Sequence, residues 1–191
     1  YNRNYMGRIN KDIVLTDGEM QVPFQKAKER FLREARRLRD YSSEPGVVHI
    51  RNYFEQNNTA YIVMEYIGGM SLQEYFDRKG RIEAGRLFQL LYPLMVTLEK
   101  IHKSGVVHRD ISPDNIKFTD DPDGAAGIKL IDFGSARDYM DDRTYTIELK
   151  EGYAPPEQYS GHEQGPWTDV YALCAVLYRG ITGRKPIRSL L

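Results

Sequence analysis

The sequence predicts an α+β fold in two parts, a small mixed part before Gly68 and a mainly helical part after it. Three observations carry that reading: a charged helical stretch followed by two strand-like runs, the adjacent pair Gly68-Gly69, and a long stripe of leucines at helical spacing. Residues 1–23 are polar and irregular, with a turn signal at Thr16-Asp17-Gly18. From Phe24 to Tyr41, Phe31, Ala35 and Leu38 recur at helical spacing among many Lys, Arg and Glu, which predicts one long amphipathic helix. Glu44-Pro45-Gly46 breaks it, and Val47 to Phe54 and Ala60 to Tyr66 then read as a β-hairpin around Gln56-Asn57-Asn58. Beyond Gly68-Gly69, the freest backbone in the chain, Ser71 opens a short helix over Leu72 to Lys79. Ala84 to Ser104 carries Leu87, Leu90, Leu91, Leu94, Leu98 and Ile101 in one stripe, which requires a core. Asn115 to Thr119 and Ile128 to Ile131 flank Asp120-Asp121-Pro122-Asp123-Gly124 and predict a second hairpin. A long polar loop follows, and Thr168 to Ile181 closes the chain as an apolar helix stopped at Thr182-Gly183.

Composition narrows the function classes. The 191 residues hold 27 Lys and Arg against 27 Asp and Glu, a formal net charge of zero, which gives no support to a nucleic-acid or membrane-surface partner. With 41% hydrophobic and 12% aromatic residues the chain can bury a core, which excludes disorder. Its single cysteine, Cys174, excludes an intrachain disulfide framework and fits a reducing compartment. No apolar run reaches the roughly 18 residues that span a bilayer, so no membrane segment is predicted. The first residue is Tyr1 rather than Met, and the chain is therefore expected to be a fragment or processed form.

Three short segments carry the chemistry: His108-Arg109-Asp110-Ile111-Ser112-Pro113-Asp114-Asn115, then Asp132-Phe133-Gly134 directly after an apolar run, then Gly152-Tyr153-Ala154-Pro155-Pro156-Glu157. A lone loop Asp is usually a solvated turn residue or an Asx cap. The three segments in this order are specific, with Asp110 and Asn115 five apart and an apolar strand feeding Asp132.

This combination resembles the eukaryotic-type protein kinases, in the variant common among bacterial serine/threonine kinases, and the likeness runs from about Phe24 to Pro186. The resemblance implies a two-lobed fold, residues 1–67 being a partial N-lobe and residues 68–191 a partial C-lobe. It implies transfer of the ATP γ-phosphate, with Mg²⁺, to Ser/Thr hydroxyls of protein substrates, chemistry that needs positioning and charge neutralisation more than covalent help. Asp110 matches the catalytic aspartate, and Asn115 and Asp132 match the oxygen ligands of Mg²⁺. Glu34 matches the helix glutamate that pairs with a strand lysine. Met64 matches the gatekeeper, and Glu65, Tyr66 and Ile67 match the hinge. The adenine is expected on the backbone C=O of Glu65 and the N–H and C=O of Ile67. Asp169 matches the residue of the central helix that anchors the family's stacked apolar spine, with helix N-capping as its competing explanation. Arg109 precedes the catalytic Asp, the arrangement associated with control by phosphorylation, with Thr144 and Thr146 ahead of Tyr145 as the acceptors.

Four departures stand against the pattern. The Gly-rich phosphate loop and the strand lysine are absent upstream of Glu34, so the N-lobe is incomplete and both features are expected to precede Tyr1. Ser112 stands where most serine/threonine kinases carry a lysine, and Lys150 where they carry a threonine. This exchange leads to the expectation that Lys150 reaches back toward Asp110 and the transferred phosphate, with Ser112 as its short polar partner. Lys117 falls where an apolar residue usually lies under the adenine; its stem can pack there with the ammonium directed outward. The C-lobe is expected to be truncated after its central helix, which leaves Glu157 without its usual arginine.

The expected function is thus a serine/threonine protein kinase core, inactive or nearly so on its own. The implied location is cytoplasmic, including that of the cytoplasmic domain of a membrane-anchored receptor kinase. The expected partner is a protein substrate, with no nucleic acid, and the sequence carries no signal for an oligomeric state. Two other classes compete: a pseudokinase or scaffold, which intact Asp110, Asn115 and Asp132 argue against, and a kinase-like small-molecule phosphotransferase, which the Pro155-Pro156-Glu157 segment disfavours.

Overall fold

The computed structural model describes residues 6–16, 18–120, 127–132, 137–138 and 149–189, with the backbone alone for Arg30, Glu34, Arg37, Arg137 and Asp138. The architecture is α+β. The chain divides into two compact units, Tyr1–Ser43 with His49–Glu65, and Glu44–Val48 with Tyr66–Leu191.

The first unit opens on an antiparallel hairpin, β1 (Met6–Ile9) with β2 (Asp12–Leu15), where the sequence predicts irregular structure. Asn10 makes its two-residue turn possible by taking φ of 55°. Of the two strands only Ile13 is buried. Its backbone is tied to the next hairpin: the Ile13 N–H donates to Asn57 O at 3.0 Å, and Asn58 Nδ2 donates to Ile13 O at 2.9 Å. A 3₁₀ turn over Gly18–Met20 leads into helix α1 (Gln21–Tyr41), which starts ahead of the predicted Phe24 because Pro23 falls in the first turn, where no intrahelical N–H is needed. Ala35 and Leu38 are its buried contacts. Strands β3 (Ile50–Gln56) and β4 (Thr59–Met64) pair antiparallel around Asn57 and Asn58, both with positive φ, and Phe54 stacks on Tyr61 with ring centroids 5.3 Å apart.

Residues 44–48, predicted in part as strand, join the second unit. Val48 N–H donates to Leu130 O at 3.0 Å and Leu130 N–H to Gly46 O at 2.9 Å. Helix α2 (Leu72–Lys79) begins with a capping box in which Ser71 and Glu74 satisfy each other's backbone N–H groups. The close packing that precedes it requires Gly69, where any Cβ collides with the Phe118 carbonyl. Helix α3 (Ala84–Lys103) is opened by Glu83, whose carboxylate accepts the Gly85 and Arg86 N–H groups. It buries Leu87, Leu91, Leu94, Leu98 and Ile101, each contributing about 1.5–3 kcal/mol to folding. Strand β5 (Val106–Val107) pairs antiparallel with β8 (Arg137–Asp138), and β6 (Ile116–Phe118) with β7 (Ile128–Leu130). A short helix, α4 (Pro156–Ser160), precedes α5 (Pro166–Thr182), which ends on Gly183 in the left-handed conformation as predicted. Helix α5 buries Ala172, Ala175 and Val176 and leaves Val170, Tyr178 and Ile181 exposed.

Candidate active site

The loop from His108 to Asn115 leaves β5 and runs into β6, and a carboxylate fixes it from behind. Asp169, in the first turn of α5, is wholly buried and accepts the backbone N–H groups of His108 at Oδ2 and of Arg109 at Oδ1, both at 2.8 Å. Its Oδ2 also meets His102 Nε2 at 2.7 Å. Asp169 therefore anchors the loop rather than capping the helix, since the cap position is Gly165. Arg109 is held with φ of 70°, a conformation that costs an L-residue about 1 kcal/mol. Two bonds retain it: its N–H goes to Asp169, and its C=O accepts Gln158 Nε2 at 2.8 Å.

His108 is wholly buried, and burial pushes its pKa down against the raising effect of the Asp169 and Asp132 charges. Its Nδ1 accepts the Asp110 N–H at 3.2 Å, which leaves the proton of the neutral ring on Nε2.

Asp110 sits at the front of the loop. Asn115 Nδ2 donates both to its backbone O and to its Oδ2, each at 2.9 Å. Burial pushes the Asp110 carboxyl up to about 6. The Asn115 hydrogen bond and the Lys150 ammonium oppose that rise, and the Asp132 and Asp114 charges add to it. Because both amide protons of Asn115 go to Asp110, its Oδ1 is the atom left to accept. Asp132 lies two residues past the end of β7 and is exposed. An amide oxygen and a carboxylate are hard donors of the kind that would suit Mg²⁺.

The exchanged pair lies as follows. Lys150 lines a small cleft together with Asp110, Arg109, Tyr153 and Gln158. Its Nζ is 3.4 Å from Asp114 Oδ2. Ser112 is wholly buried, and its Oγ has no hydrogen-bond partner. The expected Ser112–Lys150 partnership is corrected on this point: the carboxylate of Asp114, a full charge, outcompetes a buried hydroxyl for the ammonium.

Of the nucleotide-side candidates, Met64 ends β4 and Tyr66 is 91% exposed. Glu65 bonds His49 twice, donating its N–H to His49 O at 2.9 Å and accepting His49 N–H on Oε1 at 2.7 Å. Lys117 Nζ donates to Ile67 O at 3.1 Å, so this carbonyl, one of the adenine acceptors expected above, is already engaged. Glu34 lies on α1 with its side chain outside the described residues, as do Phe133, Gly134, Thr144, Tyr145 and Thr146 altogether. Glu157, expected to lack its usual partner, accepts the Thr168 hydroxyl at 2.9 Å. Sequence reasoning missed His102, Gln158 and Thr168, which carry no motif of their own and meet Asp169, Arg109 and Glu157 at 67, 49 and 11 residues' separation.

Comparison with known proteins agrees with this geometry. Residues 17–190 match the family described as protein kinase domain. The serine/threonine-protein kinase PknA of Mycobacterium tuberculosis is 34% identical over 167 residues, covering 83% of this chain and 37% of PknA. The serine/threonine-protein kinase PrkC of Bacillus subtilis is 33% identical over 188 residues, covering 93% of this chain and 28% of PrkC. The solved structure titled PpkA-294 apo form matches with a TM-score of 0.78 at 37% identity, covering 100% of this chain and 66% of that one. The chain thus spans 37% or less of the length of these two curated relatives. Its loop anchored by Asp169, its carboxyl–amide pair and its match over residues 17–190 place it in one family: the chain belongs to the protein kinase domain family.

Proposed function

We propose that this chain is the catalytic core of a serine/threonine protein kinase, moving the γ-phosphate of ATP to Ser or Thr hydroxyls of protein substrates in the cytoplasm. The observation that carries the reading is Asp110: a half-buried carboxylate held by Asn115 at 2.9 Å, with its pKa pushed up to about 6. Such a group is ionised at neutral pH yet basic enough to accept the proton of a substrate hydroxyl. In the step, the substrate oxygen forms its bond to the γ-phosphorus as the bond from phosphorus to the ADP oxygen breaks, and the hydroxyl proton passes to Asp110. Mg²⁺ held by Asn115 Oδ1 and Asp132 would neutralise charge on the phosphates.

The remaining residues divide by task. Lys150 lies on the Asp110 side of the loop, where the charge of the transferred phosphate develops, and stands in for the lysine that Ser112 replaces. Glu65 and Ile67 supply backbone groups to the adenine near Met64 and Tyr66, with Lys117 steadying Ile67 through its carbonyl. Glu34 serves as the helix glutamate of the family pattern, residues 1–67 and 68–191 act as the two lobes, and Arg109 receives a phosphate carried by Thr144 or Thr146. The test is Mg²⁺-ATP turnover by the full-length protein with acid hydrolysis of the product. Phosphoserine or phosphothreonine is expected, and a kcat for Lys150→Ala equal to the parent's would remove Lys150 from the mechanism.

A further inference from the structure

A second cavity, of about 280 Å³, opens beside the catalytic loop and is lined by Asp114, Lys150, Glu151, Tyr153 and Arg179, with Lys185 at its exposed end. It shares Lys150 and Tyr153 with the small cleft that holds Asp110. A side chain seated in it is therefore a near neighbour, along a peptide, of a hydroxyl placed at Asp110. The lining is cation-rich, three cationic side chains against two carboxylates. One of those carboxylates, Asp114, already faces Lys150 at 3.4 Å.

Arg179 is only partly engaged. One guanidinium nitrogen, Nη1, donates to Gly183 O, and Nη2 lies 3.7 Å from Asp77 Oδ1, near the outer limit of an ion pair. Its Nε–H is buried with no hydrogen-bond partner, a donor that lacks an acceptor. Lys185 makes no ion pair among the described residues. Burial pushes the Tyr153 hydroxyl up to about 12, so it stays an O–H donor at any physiological pH. Lys150, Arg179 and Lys185 thus line one cavity together with Tyr153, and the group that suits this excess of cationic side chains is an anion.

We propose that this cavity is a subsite for an acidic side chain, a carboxylate or a phosphate, flanking the acceptor Ser or Thr of the substrate peptide. The inference rests on the phosphotransfer reading for its geometry, since that reading places the acceptor hydroxyl at Asp110. It assigns substrate preference to Arg179 and Lys185, residues that take no part in the chemical step.

The test is a panel of peptides with one central Ser and a single Glu, phosphoserine, Lys or Ala walked through the flanking positions. Binding to the protein is followed by fluorescence anisotropy, and phosphorylation of the same panel by the full-length protein in parallel. The expected result is binding of the Glu or phosphoserine peptide about threefold to tenfold tighter than the Ala peptide at one position, weakening with added salt. Phosphoserine above Glu identifies phosphate as the preferred anion; equality identifies charge alone. Lys185→Glu, an exposed position that leaves packing intact, should abolish or invert the preference, whereas Lys103→Glu, on α3 and not in the cavity lining, should preserve it. Equal binding of the Ala, Glu and phosphoserine peptides, tighter binding of the Lys peptide, no binding by any peptide, or a preference untouched by Lys185→Glu overturns the proposal. An acidic preference without phosphorylation keeps the subsite and removes the phosphotransfer reading; phosphorylation without acidic preference does the reverse.

Discussion

The back and the front of the catalytic loop are built on opposite principles. Behind it, Asp169 is wholly buried and its carboxylate is filled by the His108 and Arg109 N–H groups and by His102, all within 2.8 Å. In front, Asp110 is only partly buried, and Lys150 and Asp114 meet only at 3.4 Å with side chains 38% and 50% exposed. A carboxylate saturated with donors in the interior is an anchor. One short of donors beside solvent, with its pKa raised, is available to take a proton. The two aspartates divide the work, and substitutions should strike one side and spare the other.

The largest structural effect is expected from Asp169→Ala, which leaves the buried N–H groups of His108 and Arg109 without acceptors and removes one of the two bonds that hold Arg109 at positive φ. The expected loss is about 3–5 kcal/mol of stability, together with loss of turnover, read by chemical denaturation. Asp169→Asn, which retains one oxygen, should recover part of the stability. A wild-type midpoint for Asp169→Ala would mean that the anchor is not needed.

The front should behave in the opposite sense. Burial raises the folded carboxyl of Asp110 from 3.8 to about 6, so between those pH values the native state holds a proton that the unfolded state has lost. Stability contributed by the protonated group is present below pH 4 and is lost as pH rises through 6. Asp110→Asn is therefore expected to stabilise the protein at pH 7, on the order of 1 kcal/mol once solvent screening is allowed for, with the gain vanishing below pH 4. Thermal melts at the two pH values read the sign; destabilisation at pH 7 would contradict it.

Lys150→Ala should lower kcat by about tenfold and move the acidic limb of the kcat/KM profile to higher pH, because the ammonium holds the Asp110 pKa down. A limb that stays in place would separate Lys150 from Asp110. The smallest effect belongs to Ser112→Ala. Its Oγ is buried and forms no hydrogen bond, so removing it should leave stability within about 0.5 kcal/mol of the parent or raise it slightly.

Sequence reasoning reached the front of the loop more fully than the back. Asp110, Asn115 and Asp132 lie in short ordered motifs, and the helices α2 and α3 announce themselves through Ser71 and the leucine stripe. The supports of the loop are not local: His102 meets Asp169 67 residues away, and Gln158 reaches Arg109 across 49. No spacing rule encodes such contacts, which depend on how α3, α4 and α5 pack. The β1–β2 hairpin was hidden for a different reason. Its strands have four residues each, only Ile13 is buried, and its turn is Asn10-Lys11 rather than Asn-Gly, so neither alternation nor turn chemistry marks it.

The most direct test of the division is single-turnover phosphoryl transfer from Mg²⁺-ATP by the full-length protein and by Asp110→Asn, measured where both are fully folded. Asp110→Asn should lose about 10²–10⁴-fold in the transfer rate with no loss of fold. Equal rates would contradict the division, because the front carboxylate would then be no more than a loop residue.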